Sequence, residues 1–342
     1  MPRVFVAAAL AAALAACQGT GPDYREPTLG TAVAGEPGAV PMIRDVPTEE
    51  PTPATVMTPP PREEPVAGVE PVAKVQPTPK VVLPSQPTPG PTVSVMWWNV
   101  QRMSSAEARS AIARTVEGMQ IVVLAGVRSE QSLERLASEF GSSWKHAASP
   151  ELGEASGHRQ RIGLLWDSSA IRMAGGLKVD ADPDNELTRD VVFAGFTTGG
   201  GFDFTLAAVH IYPGHTLAHC KAEVSALAAA WDRIQAATPG DRDVILMGDF
   251  KLDSGDPAFE ALLQNSGLRP TVDDLTFTGV RGRTNFDQIF IHPKHTTEWT
   301  GTSGTRKFDE TIYGGNDAAA ARAVSDHRPV WITLRVPETD ND

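Results

Sequence analysis

The chain has 342 residues, with 30 Lys+Arg against 42 Asp+Glu, a formal net charge of −12 and 41 % apolar residues. That balance excludes a surface that holds nucleic acid by overall charge, so a polyanion would have to be gripped locally by a few cations. Two cysteines, Cys17 and Cys220, exclude a disulfide-framed fold.

Residues 1–16 carry Arg3 and then an uncharged run of Val, Phe, Ala and Leu, the pattern of a secretory signal that is too short for an ordinary transmembrane span. Leu14-Ala15-Ala16-Cys17 resembles a bacterial lipobox. The resemblance implies a lipid on Cys17 and a place in the bacterial cell envelope. Gln18 stands where Asp would retain the protein at the inner membrane, which favours the outer membrane, facing the periplasm or the exterior. The alternative is a plain secretory signal with a chance cysteine. Residues 18–92 hold 18 of the 28 prolines, and Pro-Thr-Pro recurs at 51–53, 77–79 and 87–89. Without hydrophobic periodicity, such a stretch cannot bury enough apolar area to offset its ordering entropy. Residues 17–92 therefore read as a Pro-rich disordered tether, reaching at most about 230 Å if it is all polyproline. A globular domain over 93–337 remains, with a short tail at 338–342.

Within that domain, strands are expected at 93–100 and 121–127, with a helix between them from Ser104 or Ser105 to about 118 and a second helix near 131–140. A β-rich middle follows, at 161–166, 171–179, 191–197 and 202–211. A long alanine-faced helix is expected at 216–236, a strand at 244–247, a short helix at 257–265, and strands at 286–291 and 330–336. Helices alternate with strands, and β-only stretches intervene. The pattern suits an α/β fold, a four-layer α/β/β/α sandwich of two packed sheets with helices outside.

Polar residues sit at the ends of several apolar runs. They are Asn99, His210 after Ala207-Ala208-Val209, Asp249 after Leu246-Met247-Gly248, Asp287 within Asn285-Phe286-Asp287-Gln288, and Asp326-His327 before the last strand. One such residue is usually a cap or a turn. Five places holding two His and three Asp point to a site that moves protons around a phosphoryl group, where charge must be stabilised, water deprotonated and a leaving oxygen protonated. Cys220 reads as a buried free thiol. His215 and His219, four apart at a helix start, could also face a transition metal together, although a solvated helix end is the commoner outcome.

The chain resembles the endonuclease/exonuclease/phosphatase superfamily, and most of all its pancreatic-type deoxyribonuclease branch. The residues that carry this are Trp98-Asn99-Val100, Arg161-Ile162-Gly163-Leu164-Leu165-Trp166, Thr188-Arg189-Asp190, Val209-His210, Met247-Gly248-Asp249-Phe250, Phe286-Asp287-Gln288-Ile289 and Ser325-Asp326-His327-Arg328-Pro329-Val330, in the family's order. The resemblance implies the deoxyribonuclease-like sandwich and a phosphodiesterase or nuclease activity. It implies that Asn99 and Asp326 help hold a divalent metal, Mg or another, and that Asp249 orients or activates water. His210 and His327 would serve the two sides of the phosphate, with Asp287 fixing one imidazole. Arg189 would contact a substrate phosphate.

Three positions depart from the family. Its Leu-Gln-Glu-Val, whose Glu is the main metal ligand, is here Leu124-Ala125-Gly126-Val127. The Glu that orients the first His is Gln160. The Asn after Gly-Asp-Phe is Lys251. Each change adds one positive charge, so Lys251 is expected to hold phosphate in the metal's stead. Two functions stay open. One is an envelope-anchored, monomeric phosphodiester hydrolase with a degenerate metal site, acting on nucleic acid or another phosphodiester. The other is an inactive relative that binds a phosphate-bearing ligand or a protein partner and needs no cofactor. Beside these two, the long proline tether allows, but does not require, a structural lipoprotein whose domain merely anchors something at the envelope.

Overall fold

The computed structural model describes residues 91–340 apart from 154–158, 213, 215, 274 and 339. The signal, Cys17, all but the end of the tether, and His215 lie outside the described residues. Twelve strands form two six-stranded sheets, with the helices on their outer faces. The first sheet is built from β1 (Thr92–Asn99), β2 (Ile121–Val127), β3 (Trp144–Ala148), β4 (Arg161–Asp167), β11 (Trp299–Thr305) and β12 (Val330–Arg335), in the order β11-β12-β1-β2-β4-β3. The second runs β5-β6-β7-β8-β10-β9, from β5 (Ile171–Val179), β6 (Val192–Thr198), β7 (Asp203–His210), β8 (Val244–Asp249), β9 (Arg269–Pro270) and β10 (Asp287–Ile291). The four-layer sandwich expected from the sequence is the fold observed.

Each sheet has one parallel pair at its centre and antiparallel neighbours around it. β1 pairs in parallel with β2, and β7 with β8. Parallel neighbours need a crossover, and the crossovers are α1 (Ala106–Thr115) and α3 (Leu217–Ala237). Ser105 caps α1, accepting from the Ala108 amide, and Thr216 caps α3, accepting from the His219 amide. Both caps satisfy first-turn N–H groups that would otherwise be orphaned.

Alternation decides which side chains meet between the sheets. Val93, Val95 and Trp97 of β1, Leu206 and Ala208 of β7, Ile245 and Met247 of β8, and Ile289 and Ile291 of β10 all lie in the inter-sheet core. The intervening residues pack outward. Met96 and Trp98 meet α1, α2 (Glu130–Phe140) and the C-terminal helices α4 (Phe308–Thr311) and α5 (Asp317–Ala323). Leu246 and Phe290 meet α3.

Some elements differ from the expectation. β3, β9, β11, α4 and α5 were not expected. The single helix expected at 257–265 is a 3-10 turn, Pro257–Phe259, followed by a π turn, Ala261–Asn265. Among the described residues no helix is long and apolar enough to cross a membrane.

Candidate active site

The inward-facing series of four strands each end in a polar residue. Counting in twos, Asn99 follows Trp97, His210 follows Ala208, and Asp249 follows Met247; Asp287 precedes Ile289 in the same way. The side-chain period of two therefore aims all four into the end of the inter-sheet core. Register then makes three of them neighbours, with His210 opposite Asp249 across β7–β8 and Asp249 opposite Asp287 across β8–β10. Gly248 sits where a Cβ would lie 2.5 Å from the Val209 carbonyl oxygen, so the residue before Asp249 has no room for a side chain.

His327 arrives from the segment leading into β12. Ser325 Oγ donates to the Asn99 carbonyl at 2.6 Å and accepts from the His327 amide at 3.0 Å. Trp98 Nε1 donates to the His327 carbonyl at 2.7 Å, and Arg328 forms a two-point pair with Asp309 at 2.8 and 2.6 Å. Within Ser-Asp-His-Arg, then, Ser325 and Arg328 lock the backbone that presents His327.

The assembled site is a buried network. Asn99 Nδ2 donates to Asp249 Oδ2 at 2.8 Å and lies 3.5 Å from His210 Nε2. Lys251 Nζ donates to the same Asp249 oxygen at 2.6 Å, and the Lys251 amide donates to Asp249 Oδ1 at 3.2 Å. His327 Nδ1 lies 2.7 Å from Asp287 Oδ2, while Asp287 Oδ1 accepts from Trp97 Nε1 at 3.0 Å. Gln160 Nε2 lies 2.5 Å from His210 Nδ1. Arg189 is buried against the Tyr212 ring at 4.9 Å, and its Nη1 donates to the His210 carbonyl at 3.4 Å. Asp326 accepts from Gln101 Nε2 at 2.5 Å and lies 3.6 Å from His327 Nε2.

These contacts set the charges. Burial opposes a proton on His327, but the carboxylates of Asp287 and Asp249 outweigh it and hold this imidazole up to about 9. Burial pushes His210 well below the ordinary histidine value; Asp249 pulls the other way, and Lys251, Arg189 and His327 add to the depression. Burial would raise Asp249, yet Lys251 and the two imidazoles leave it far below the usual carboxylate range. Burial would likewise lower Lys251, and Asp249 keeps it raised. At neutral pH the site therefore holds one charged and one neutral imidazole, the division of labour that acid–base chemistry uses.

The expected metal ligands part company. Asn99 turns its amide to Asp249 and His210, whereas the Asp326 carboxylate faces Gln101 and His327 with 48 % of its side chain exposed. Among the described residues, the group whose donor atoms are close enough for an ion is instead Asp249, Asp287 and His327, within 4.8 Å of one another. An ion there would have to displace the Lys251 ammonium and the proton donors that already cover both carboxylates. The residues present do not fit a metal in this arrangement.

Gly126 explains why. Pairing of β2 with β4 shifts between Leu124 and Val127, where β2 carries one extra residue. Gly126 lies in that bulge with φ 78°, and a Cβ there would sit 2.2 Å from the Val100 carbonyl oxygen. A bulge re-aims a strand end, and this one closes the position from which a carboxylate would reach the site. Glu130 is the exposed first residue of α2.

A cavity of about 420 Å³ opens beside the network, lined by Lys251, Arg281, Thr284, Phe286, Asp326 and His327. Arg281 escapes a reading by motif because it sits on an irregular loop, which an isolated bridge between Gly279 and His327 brings to the site. His219 takes no part: it pairs with Glu223 at 2.9 Å and contacts Thr188 Oγ1 at 3.2 Å. Cys220 is free and buried.

Comparison with known proteins finds the same fold. An endonuclease/exonuclease/phosphatase family protein from Bacteroides thetaiotaomicron has a similar structure, with a TM-score of 0.52 and 14 % identity over 72 % of this chain and 98 % of its own. D. rerio TDP2, solved with a single-strand DNA product, has a TM-score of 0.52 and 15 % identity over 72 % of this chain and 99 % of its own. In sequence, a deoxyribonuclease of Thioalkalivibrio sp. (strain K90mix) is 26 % identical over 258 residues, 69 % of each chain. No family model matches. The chain has the fold of endonuclease/exonuclease/phosphatase family proteins.

Proposed function

We propose that the domain is a phosphodiester hydrolase of nuclease type, working by acid–base chemistry between His210 and His327. The observation that carries this reading is the delivery of Asn99, His210, Asp249, Asp287 and His327 to one point from both sheets and in contact, in surroundings that shift the two imidazoles in opposite directions. Descent alone would not require this wiring, because fold does not carry function.

The chemistry follows from the partners. Asp287 holds Nδ1 of His327, so the Nε2 proton is the one available to a leaving oxygen. His210 takes the proton of an attacking water at Nε2, which requires a hydrogen on Nδ1 and hence the carbonyl end of Gln160 turned toward it. An amide can present either end. The water oxygen bonds to phosphorus, the ester P–O bond breaks, and the His327 proton leaves with the alcohol. Arg189 and Lys251 offset charge on the phosphoryl oxygens. Asp249 positions the Lys251 ammonium and the Asn99 amide. No step runs through a metal.

Release of p-nitrophenol from bis-p-nitrophenyl phosphate, and of nucleotides from single-stranded DNA, tests the reading. Activity that disappears in both His210→Ala and His327→Ala supports it; activity unchanged in both sinks it. The second reading, a phosphate-binding protein without turnover, is favoured by the Lys251–Asp249 pair, because a carboxylate covered by an ammonium is a poor proton acceptor. Tight ester binding with no product in the wild-type chain would select it.

The same proposal places the domain at the bacterial envelope as a monomer, tethered through a lipid on Cys17. The Leu-Ala-Ala-Cys motif and the proline-rich segment support this. Palmitate labelling that persists in Cys17→Ser would overturn it.

A further inference from the structure

The two buried carboxylates of the site face proton donors on every side given above. Asp249 Oδ2 takes Lys251 Nζ at 2.6 Å and Asn99 Nδ2 at 2.8 Å. The two oxygens of Asp287 take Trp97 and His327. Lys251 is placed by its backbone as well as its side chain. With φ 57° it occupies the left-handed region, and its amide closes the turn on Asp249 Oδ1 at 3.2 Å. Its side chain is 17 % exposed and lines the same cavity as His327 and Arg281. The cation is thus built into the chain at the point where the carboxylates converge.

Charge then selects the ligand. Lys251, Arg281 and His327 line the cavity together with one exposed carboxylate, Asp326. The Asp326 carboxylate, 3.6 Å from His327 Nε2, would oppose the second negative charge of a phosphomonoester, so the singly charged phosphodiester suits this lining better. Phe286 lines both this cavity and its neighbour and offers a ring beside the phosphate. We propose that Lys251 takes the place of a divalent metal and that the site binds one phosphodiester anion on Lys251, His327 and Arg281 without any metal. The proposal rests on the phosphate-ester reading above and specifies what neutralises the phosphate and how many charges it carries.

Calorimetry with the full chain tests it, using diphenyl phosphate and phenyl phosphate as probes, first in excess EDTA and then in magnesium or manganese chloride. The expected result is diphenyl phosphate binding of equal strength in both, tighter than that of phenyl phosphate. Lys251→Met should weaken it roughly tenfold to a hundredfold, the loss of one charged hydrogen bond. Arg281→Gln changes an exposed residue, so it keeps the fold and should weaken binding in the same direction. Binding that appears only with metal, a stoichiometric metal site in the unliganded chain, or tighter binding of phenyl phosphate overturns the proposal while leaving the phosphate-ester reading intact. Failure of both probes in both conditions overturns that reading and the proposal together.

Discussion

His327 and His210 approach the same oxygen of Asp249 from opposite sheets, at 3.6 and 3.5 Å. The segment before β12 carries the first, and the end of β7 the second. Their Nδ1 partners differ: a carboxylate, Asp287, for His327, and an amide, Gln160, for His210. Burial penalises a proton on both. A carboxylate reverses that penalty and an amide does not, so equal burial gives one imidazolium and one neutral imidazole. The same contrast runs through the sheets. β7 and β8 end in His210 and Asp249, whereas β1 ends in Asn99 and β2 carries a bulged Gly126 one residue before its end, and the polar row of the first sheet is shorter by one functional group.

The largest expected effect of breaking this contrast is on turnover. His327→Ala removes the proton donor and should reduce hydrolysis of bis-p-nitrophenyl phosphate about a thousandfold. Asp287→Asn keeps the imidazole but removes its counter-charge, and should give nearly as large a loss. Because the residues act as one unit, the double variant should be scarcely worse than either single one. A fully additive double variant would show that Asp287 does not act through His327.

Stability against pH separates the two imidazoles next. His327 is raised in the folded chain, so its contribution is complete below about 6.5 and is lost as pH rises through about 9. His210 is depressed, so stability is lost instead as pH falls below about 6.5. The two slopes should meet near pH 6.5, with the alkaline arm amounting to about 3 kcal/mol at most. Urea unfolding from pH 5 to 10 measures both arms. His327→Gln should flatten the alkaline arm alone. An alkaline arm that survives in this variant would assign it to another group.

The bulge gives a smaller and purely structural effect. Gly126→Ala adds only a Cβ, yet that atom meets the Val100 carbonyl oxygen on a left-handed backbone. A cost of about 2 to 3 kcal/mol is expected in the same urea assay. A cost below about 0.5 kcal/mol, that of an ordinary surface change, would mean that the strand end relaxes freely and that a carboxylate could be accommodated there after all.

Much of this arrangement was legible in the sequence, because a polar residue closing an inward-facing apolar series is a signal that alternation alone can carry. Asn99, His210, Asp249 and Asp287 stand out in this way. What escaped depends on contacts between distant segments. β3 and β11 are edge strands, and Trp299-Thr300-Gly301-Thr302-Ser303-Gly304-Thr305 has no apolar alternation to announce it. Gly126 reads in sequence as a lost side chain; only the bulge shows that the backbone has closed over the position. Asn99 and Asp326 look like a metal pair by motif, but their hydrogen bonds send them to different partners. Arg281 belongs to a loop whose approach to His327 has no local pattern.

Gln160→Glu sharpens the comparison most directly and should have the smallest effect. The carboxylate would accept from His210 Nδ1 and could not donate, so the imidazole would be confined to the tautomer with Nε2 free to take a proton. Its charge would also lift His210 toward the ordinary histidine value, against burial and the nearby Lys251 and Arg189. A better base in a fixed tautomer should raise turnover of bis-p-nitrophenyl phosphate about tenfold near neutral pH, within the range that one positioned base supplies. The acid arm of the stability profile should shrink at the same time, because folding would no longer exclude a proton from His210. Turnover and the acid arm must move together if Gln160 acts through His210. A variant that shrinks the acid arm and leaves turnover unchanged would show that His210 is not the base.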